Sequence, residues 1–377
     1  MILNDICEVY SGYALKKFNK NGDGLPVIKI GNILADGTLQ LEDCEYTTEK
    51  VHDKYYSKKE DIYVALSGAT TGKIGINKSE KKYIINQRVG IVRKKDNNIP
   101  NEFIKFFLLR QTERILQEAA GCAQPNISPK QIAQYALPDI RSEKMRQIVV
   151  VLNRLTSVIV SRKTELQKLD DLIKARFVEM FGDPEINSKG WKKEPLKDHA
   201  TVFVGYPFPS EGYTSEGIDI VGGYNLMQGH ILWDESKRWP DVAGYEQYLL
   251  RANDIVMAMD RPWVNGGFKI ARIDASHLPA LLIQRTACIR GKDLEQEFLH
   301  SLLDTQRFAK HCNITGSLVP HISNKDINSY QVIVPPTEEQ RRFTAFVAQV
   351  DKSKLILQKS LHETQMLFDK LMQQYFD

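Results

Sequence analysis

The chain has 377 residues, 42% of them apolar, which is enough to fill sizeable cores and, at about 150 residues per domain, more than one of them. Its 51 basic and 47 acidic side chains leave a net charge of +4, which excludes a polybasic tail, and no apolar run is long enough to span a membrane. The start, MILNDICEVYSG, lacks the basic-then-apolar order of a secretory leader, and Cys7, Cys44, Cys122, Cys288 and Cys312 form no CxxC pair, so a disulfide framework or zinc ribbon is excluded and a reducing cytoplasm is expected. In chain order, the first 141 residues open with short β-branched runs bounded by Gly, Asn and Asp (VIKIGNI, DIYVAL, YIINQRVGIVR), which predict strands and turns. An amphipathic helix is expected around 102–119, and Leu137-Pro138 closes the globular part. From Ser142 to Phe181 there is no Pro or Gly. Apolar residues recur there at alternating steps of four and three: Ile148, Leu152, Leu155, Ile159, Leu166, Leu169 and Ile173. That spacing is a coiled-coil seam on a helix of roughly 60 Å, with Ser142 as its expected cap.

The remainder repeats this plan. Strand-like runs IDIVGGYNL, DIVMAM and LLIQRTACIR lead to a helix expected at 295–311 and to Pro335-Pro336. Thr337 then caps a second stripe: Phe343, Val347, Val350, Leu357, Leu361, Phe368 and Leu371. Sliding the sequence on itself by 193 to 197 positions superposes Gly12-Tyr13 on Gly205-Tyr206, Asp61–Ala65 on Asp254–Ala258 and Gln87-Arg88 on Gln284-Arg285. It also superposes Gly121–Ile127 on Gly316–Ile322 and Ser128 on Ser323. So many ordered coincidences imply a tandem duplication. The organisation expected is α+β: a globular domain over 1–141, a spacer helix over 142–183, a second globular domain over 184–336 and a second spacer helix over 337–377. The matched stripes predict that the helices pack on each other as an antiparallel coiled coil, holding the two α/β domains in pseudo-two-fold relation.

Several pieces occur twice in the same order or join the copies: LNDICEVYSGYALKKF with LKDHATVFVGYPFPSEGY, DIYVALSGATTGKIG with DIVMAMDRPWVNGG, QPNISPKQI with VPHISNKDI, SEKMRQI with TEEQRRF, and the joint LIKARFVEMFGDPEINSKGW. In their order the chain resembles, over essentially its whole length, the specificity subunit of type I restriction-modification systems. The resemblance implies that each globular part is a target recognition domain reading one half of a split double-stranded DNA site, and that the helices set the gap. It also implies that two methyltransferase (modification) subunits and restriction (translocase-endonuclease) subunits are partners, in a cytoplasmic complex with no membrane role. The chain then has no catalytic centre and no cofactor of its own; S-adenosylmethionine, ATP and magnesium belong to the partners. Because the loops of the two copies diverge, the half-sites should differ. The rival readings are a fused restriction-modification enzyme, separable by S-adenosylmethionine binding to the pure chain, and a structural coiled-coil adaptor, separable by gel shifts.

Three stretches imitate enzyme motifs. Gly68–Ile74 is one residue short of a phosphate loop and ends in Ile where Ser or Thr should hold magnesium. Asp260-Arg261-Pro262-Trp263 has Arg where an amino-methyltransferase has its first Pro, and Asp183-Pro184-Glu185 lacks the Glu-x-Lys of a nuclease. The candidate DNA-contacting residues are the loop-borne polar and aromatic side chains, since Arg reads guanine, Asn and Gln read adenine, and Lys, Ser and Thr hold phosphates. In the first domain they are Lys29, Asn32, Ser67, Thr70, Thr71, Lys73, Gln87, Arg88, Gln124 and Asn126. In the second they are Tyr224, Asn225, Arg261, Trp263, Asn265, Lys269, Gln284, Arg285 and His321. Gln87 and Gln284 suit a scaffold role equally well.

Overall fold

The computed structural model describes residues 1–377 except 97, 121–124, 184, 265–266 and 315–319. The chain divides into two compact units, Met1–Lys163 with Lys359–Asp377 and Thr164–Gln358, so each unit takes one globular domain and half of each long helix.

In the first unit a four-stranded antiparallel sheet runs in the order Cys7–Ser11, Val89–Lys94, Ile62–Ala65, Ile74–Ile76. Its central strand is buried at all four residues, which explains why it reads as an unbroken apolar run. Alternate residues serve two cores: Ile62 and Val64 join the helix-covered one, while Tyr63 and Ala65 join Ile28, Ile33 and Ile91 on the other face. A three-stranded sheet follows, Glu45–Thr47, Leu25–Ile28 and Ile84–Ile85, whose last pair is parallel.

The second unit rebuilds both sheets strand for strand. Its four-stranded sheet runs Ile270–Arg272, Ile255–Ala258, Thr286–Gly291, Ala200–Val204, and its three-stranded sheet Lys237–Trp239, Ile218–Val221, Ala280–Leu282. It also has two ribbons, Trp263–Val264 with Gly267–Phe268 and Lys192–Pro195 with Gln331–Val334. In both units an Asp before the central strand grips an Arg on its neighbour. Asp61 takes Arg93 at 2.7 and 2.6 Å, and Asp254 takes Arg290 at 2.7 and 2.5 Å.

The amphipathic helices expected at 102–119 and 295–311 are each broken in two. Asn101–Arg110 and Thr112–Ala119 meet at Gln111, whose φ of −84° and ψ of 4° leave the helical range. Gln296–Leu303 and Gln306–His311 are separated by Thr305, whose hydroxyl accepts from the Phe308 N–H and starts a new helix.

The long helices span Ser142–Phe181 and Thr337–Phe376. Ser142 and Thr337, expected as caps, are the first helical residues instead; the Arg141 and Pro336 carbonyls accept the first helical N–H groups. All fourteen seam residues named above are buried or half-buried. In the first unit Ile148 and Leu152 share a core with Phe368 and Leu371, and Phe376 packs its ring 5.1 Å from that of Phe103. In the second unit the helices run in opposite senses, as Lys354 pairs with Asp170 at 2.6 Å while Phe343 lies against Phe177 and Phe181. Lys354 interrupts the apolar stripe, and this ion pair is what it does there. The helix ends therefore do more than pair, since Phe177, Phe181 and Phe343 also stack on Phe298 of the globular core or on one another. Cys7, Cys44, Cys288 and Cys312 are free and buried.

Candidate nucleic-acid interface

The candidate interface is framed by the same set of main-chain hydrogen bonds in each domain. After its first strand the chain makes a close crossing at Gly12 or Gly205. A Cβ on Gly12 would lie 2.3 Å from the Ile85 carbonyl oxygen, and one on Gly205 2.3 Å from that of Ile283. Only glycine admits that approach. The next residue, Tyr13 or Tyr206, then fixes a turn by accepting from the N–H of Gln87 or Gln284, each at 2.9 Å. The recurrence of Gly-Tyr and Gln-Arg is thus a scaffold signature: the glutamine N–H is pinned while its side chain, like that of the following Arg, is exposed.

A second crossing completes the frame. Leu66 and Met259 accept from Ile127 and Ile322 at 2.9 and 2.8 Å, and their own N–H groups donate to Arg88 and Arg285, both at 2.9 Å. One residue on, Ser67 bridges to Asn126 and Asp260 to His321. One further, the N–H of Gly68 donates to Pro125 at 3.1 Å and that of Arg261 to Pro320 at 3.0 Å. Ser128 and Ser323 then start short helices, each hydroxyl accepting from the backbone three residues on, which anchors the segments carrying Asn126 and His321.

On this frame the second domain forms an open concavity of about 380 Å³ that brings together Tyr224, Arg261, Lys269, Gln284 and Arg285 with Asp260. Asp260 was singled out in the sequence only within an imitation methyltransferase motif. In the fold it is the hub: one oxygen forms an ion pair with the Arg285 guanidinium at 3.0 Å and the other lies 2.5 Å from Nδ1 of His321. Its alignment with Ser67, opposite the aligned Asn126 and His321, was the signal that could have found it. Lys269 donates to the Gly223 carbonyl, and burial holds its ammonium below the usual lysine range. Tyr224 donates to Ile220 at 2.8 Å and accepts from the Lys237 N–H at 3.0 Å; burial pushes its phenol up to about 12, so it stays neutral. The half-buried Trp263 ring stands edge-on to Phe268, 4.8 Å away, and packs against the domain core rather than lining the concavity. Asn225 is a correction. It is fully buried, with its side chain spent on Gly222, Ile220 and Ser236, so it shapes the turn and has no face for DNA.

In the first domain Gln87, Arg88 and Asn126 are exposed around the equivalent crossing, with Ser67, Thr70 and Lys73 half-buried beside them. Lys29 is held by Glu45 and lies 3.7 Å over the Phe18 ring. Asn32 accepts from the Lys29 N–H at 2.8 Å and donates to Gln40 at 2.9 Å, a turn-forming role. Thr71 is a second correction: it is enclosed, and its hydroxyl donates to the Gly68 carbonyl at 2.7 Å. The imitation phosphate loop is a 3₁₀ turn at Gly68–Thr70, with Gly68 and Gly72 at φ of +79° and +82°. Gln124 and Asn265 lie outside the described residues, as does Pro184 of Asp183-Pro184-Glu185.

Among the described residues no helix is long and apolar enough to cross a membrane, and no group of three His, Cys, Asp or Glu side chains is placed to hold a metal. The family model described as the type I restriction modification DNA specificity domain matches residues 1–170 and again 189–364. Over 331 residues the chain is 23% identical to the type I restriction enzyme MjaVIII specificity subunit of Methanocaldococcus jannaschii, covering 83% of this chain and 77% of that one. It is 30% identical over 226 residues to the EcoAI specificity subunit of Escherichia coli, covering 57% of this chain and 38% of the relative. Among solved structures, the S subunit of a type I restriction-modification system from M. genitalium superposes over the whole chain and 95% of its own, with a TM-score of 0.58 at 15% identity. A chain solved in a study of type I complex assembly and conformational transition superposes with a TM-score of 0.54 at 16% identity, over 100% of this chain and 96% of its own.

Proposed function

The chain belongs to the type I restriction-modification DNA specificity family, and from that membership we propose that it is the sequence-reading, non-catalytic subunit of a cytoplasmic modification and restriction complex. Each domain reads one half of a bipartite, asymmetric duplex target through the frame described above. The paired helices set the gap between the half-sites and, with adjoining surfaces, dock two methyltransferase subunits, to which restriction subunits add. S-adenosylmethionine, ATP and magnesium act on those partners.

The observation that carries this reading is one backbone frame built twice and dressed with different polar side chains: Ser67, Gly68, Arg88 and Asn126 in one domain, Asp260, Arg261, Arg285 and His321 in the other. Contacts to phosphate position a protein without reading sequence, whereas contacts to base edges specify it. A shared frame with divergent side chains suits two readers of unlike half-sites.

The test is to rebuild the complex from the chain and its modification subunits and to map the methylated adenines. The expected target is two unlike half-sites at a fixed gap. Removing one matched heptad from both helices shortens them by about 10 Å, roughly three base pairs, and turns the far half-site by on the order of 100°. The gap should change or binding should be lost, with the bases read in each half unchanged. A continuous target, or turnover of S-adenosylmethionine by the chain alone, overturns the reading.

A further inference from the structure

Resting on that reading, we infer that Arg261 is the guanine-reading residue of the second domain, so that the half-site read by this domain contains a G·C pair with no counterpart in the half-site read through Gly68.

Arg261 and Gly68 occupy the same place in the two frames. Each follows the bridging residue of its crossing, Asp260 or Ser67, and each donates its N–H to a proline carbonyl at 3.0 or 3.1 Å. Each also has a left-handed backbone, with φ of +46° at Arg261 and +79° at Gly68. The frame demands that conformation, and the first domain meets the demand with glycine, the one residue that pays no steric penalty there. The second domain meets it with arginine, a residue for which a left-handed backbone is strained. Strain kept at a solvent-facing rim, where glycine demonstrably fits the same frame, points to a side chain wanted for itself.

What that side chain can do follows from its neighbours. Arg285, in the same concavity, is engaged by Asp260 at 3.0 Å, and its counterpart Arg88 recurs in the first domain. A cation present in both domains suits the positioning contact that both make to the phosphate backbone. Arg261 is exposed, has no ion pair to a described residue and has no counterpart, so it suits the contact that distinguishes one half-site from the other. Arginine's planar fork matches the paired O6 and N7 acceptors that only guanine shows in the major groove. Asp260 holds Arg285 through one carboxylate oxygen and His321 through the other, which leaves the Arg261 fork free to reach a base edge.

The experiment uses the rebuilt modification complex with wild-type chain, Arg261→Gly and Arg261→Lys, each assayed for methylation on a library randomised through the second half-site, for salt dependence of binding, and for thermal midpoint. Arg261→Gly should unfold at the same temperature or higher. It should lose roughly tenfold to hundredfold discrimination at one G·C position of the second half-site, with the first half-site read as before. Arg261→Lys, which keeps the charge without the fork, should lose most of the same discrimination. Two outcomes overturn the inference while leaving the split target intact. One is that Arg261→Gly keeps every preference of the second half-site. The other is a uniform loss of affinity across sequences, with the salt slope reduced by about one, which would make Arg261 a phosphate contact. A wild-type complex with no split target would overturn the functional reading itself, and this inference with it.

Discussion

The two DNA specificity domains share the main-chain hydrogen bonds that build their crossings and disagree in what hangs from them. Around the first crossing stand Ser67, Gly68 and Asn126, neutral residues beside the exposed Arg88; around the second stand Asp260, Arg261 and His321 beside Arg285. The satellite clusters differ in the same spirit. Leu15, Val27 and Ile84 fill the first, whereas Phe208, Trp239, Tyr206 and Tyr245 interlock in the second, with ring centroids 4.8 to 5.7 Å apart in the pairs Phe208–Trp239, Tyr206–Phe208 and Trp239–Tyr245. The comparison teaches that main-chain hydrogen bonds, glycines and one buried ion pair specify the shared frame, and side chains outside that set are free to differ.

The largest effect should come from the ion pair the domains share. Asp61→Ala leaves the Arg93 guanidinium, 12% exposed, without its carboxylate, and should cost about 3–5 kcal/mol. Asp254→Ala strands an Arg290 that is 26% exposed and should cost less. Domain-resolved hydrogen exchange measures both, and equal losses would show that the difference in burial does not matter. Next come Gly12→Ala and Gly205→Ala, whose new methyls meet backbone carbonyls at 2.3 Å in both domains. Each should destabilise by about 1–3 kcal/mol and by similar amounts, since no flexible side chain can yield. A neutral result in one domain alone would break the claim of a common frame.

Smaller effects should follow from exchanging the dressings. Gly68→Arg places a side chain where the first domain tolerates left-handed backbone for free, and should cost about 1–2 kcal/mol of stability. Asp260→Ser copies the first domain's residue and frees Arg285 and His321. Non-specific DNA affinity should rise several-fold and its salt dependence should steepen, because a phosphate-repelling charge is lost and a cation is released. Titration at several salt concentrations reads this directly, and an unchanged slope would remove Asp260 from the interface.

The strand-rich domains and the two 40-residue helices were legible in the sequence, because each rests on a local pattern: unbroken apolar runs in DIYVAL and DIVMAM, and the four-three spacing of the stripes; the duplication was legible in ordered matches at offsets of 193 to 197. Helix interruptions at Gln111 and Thr305 were not, because a capping hydroxyl and a change in ψ at one residue leave no mark on an amphipathic pattern. The candidate site divides along the same line. That Tyr224, Arg261, Lys269, Gln284 and Arg285 matter together could be guessed only as a set of loop residues; the fold gathers them around one concavity. Asn225 and Thr71 look no different in sequence from exposed loop residues, and only burial assigns them to the scaffold. Asp260 is a hub because the fold brings it and His321, 61 residues apart in sequence, within a hydrogen bond. Sequence determines what depends on neighbours a few residues away, namely periodicity, repeats and turn formers. Tertiary structure alone decided which polar side chains are enclosed, which are paired and which are left facing outward, because those outcomes depend on segments that meet only when the sheets close.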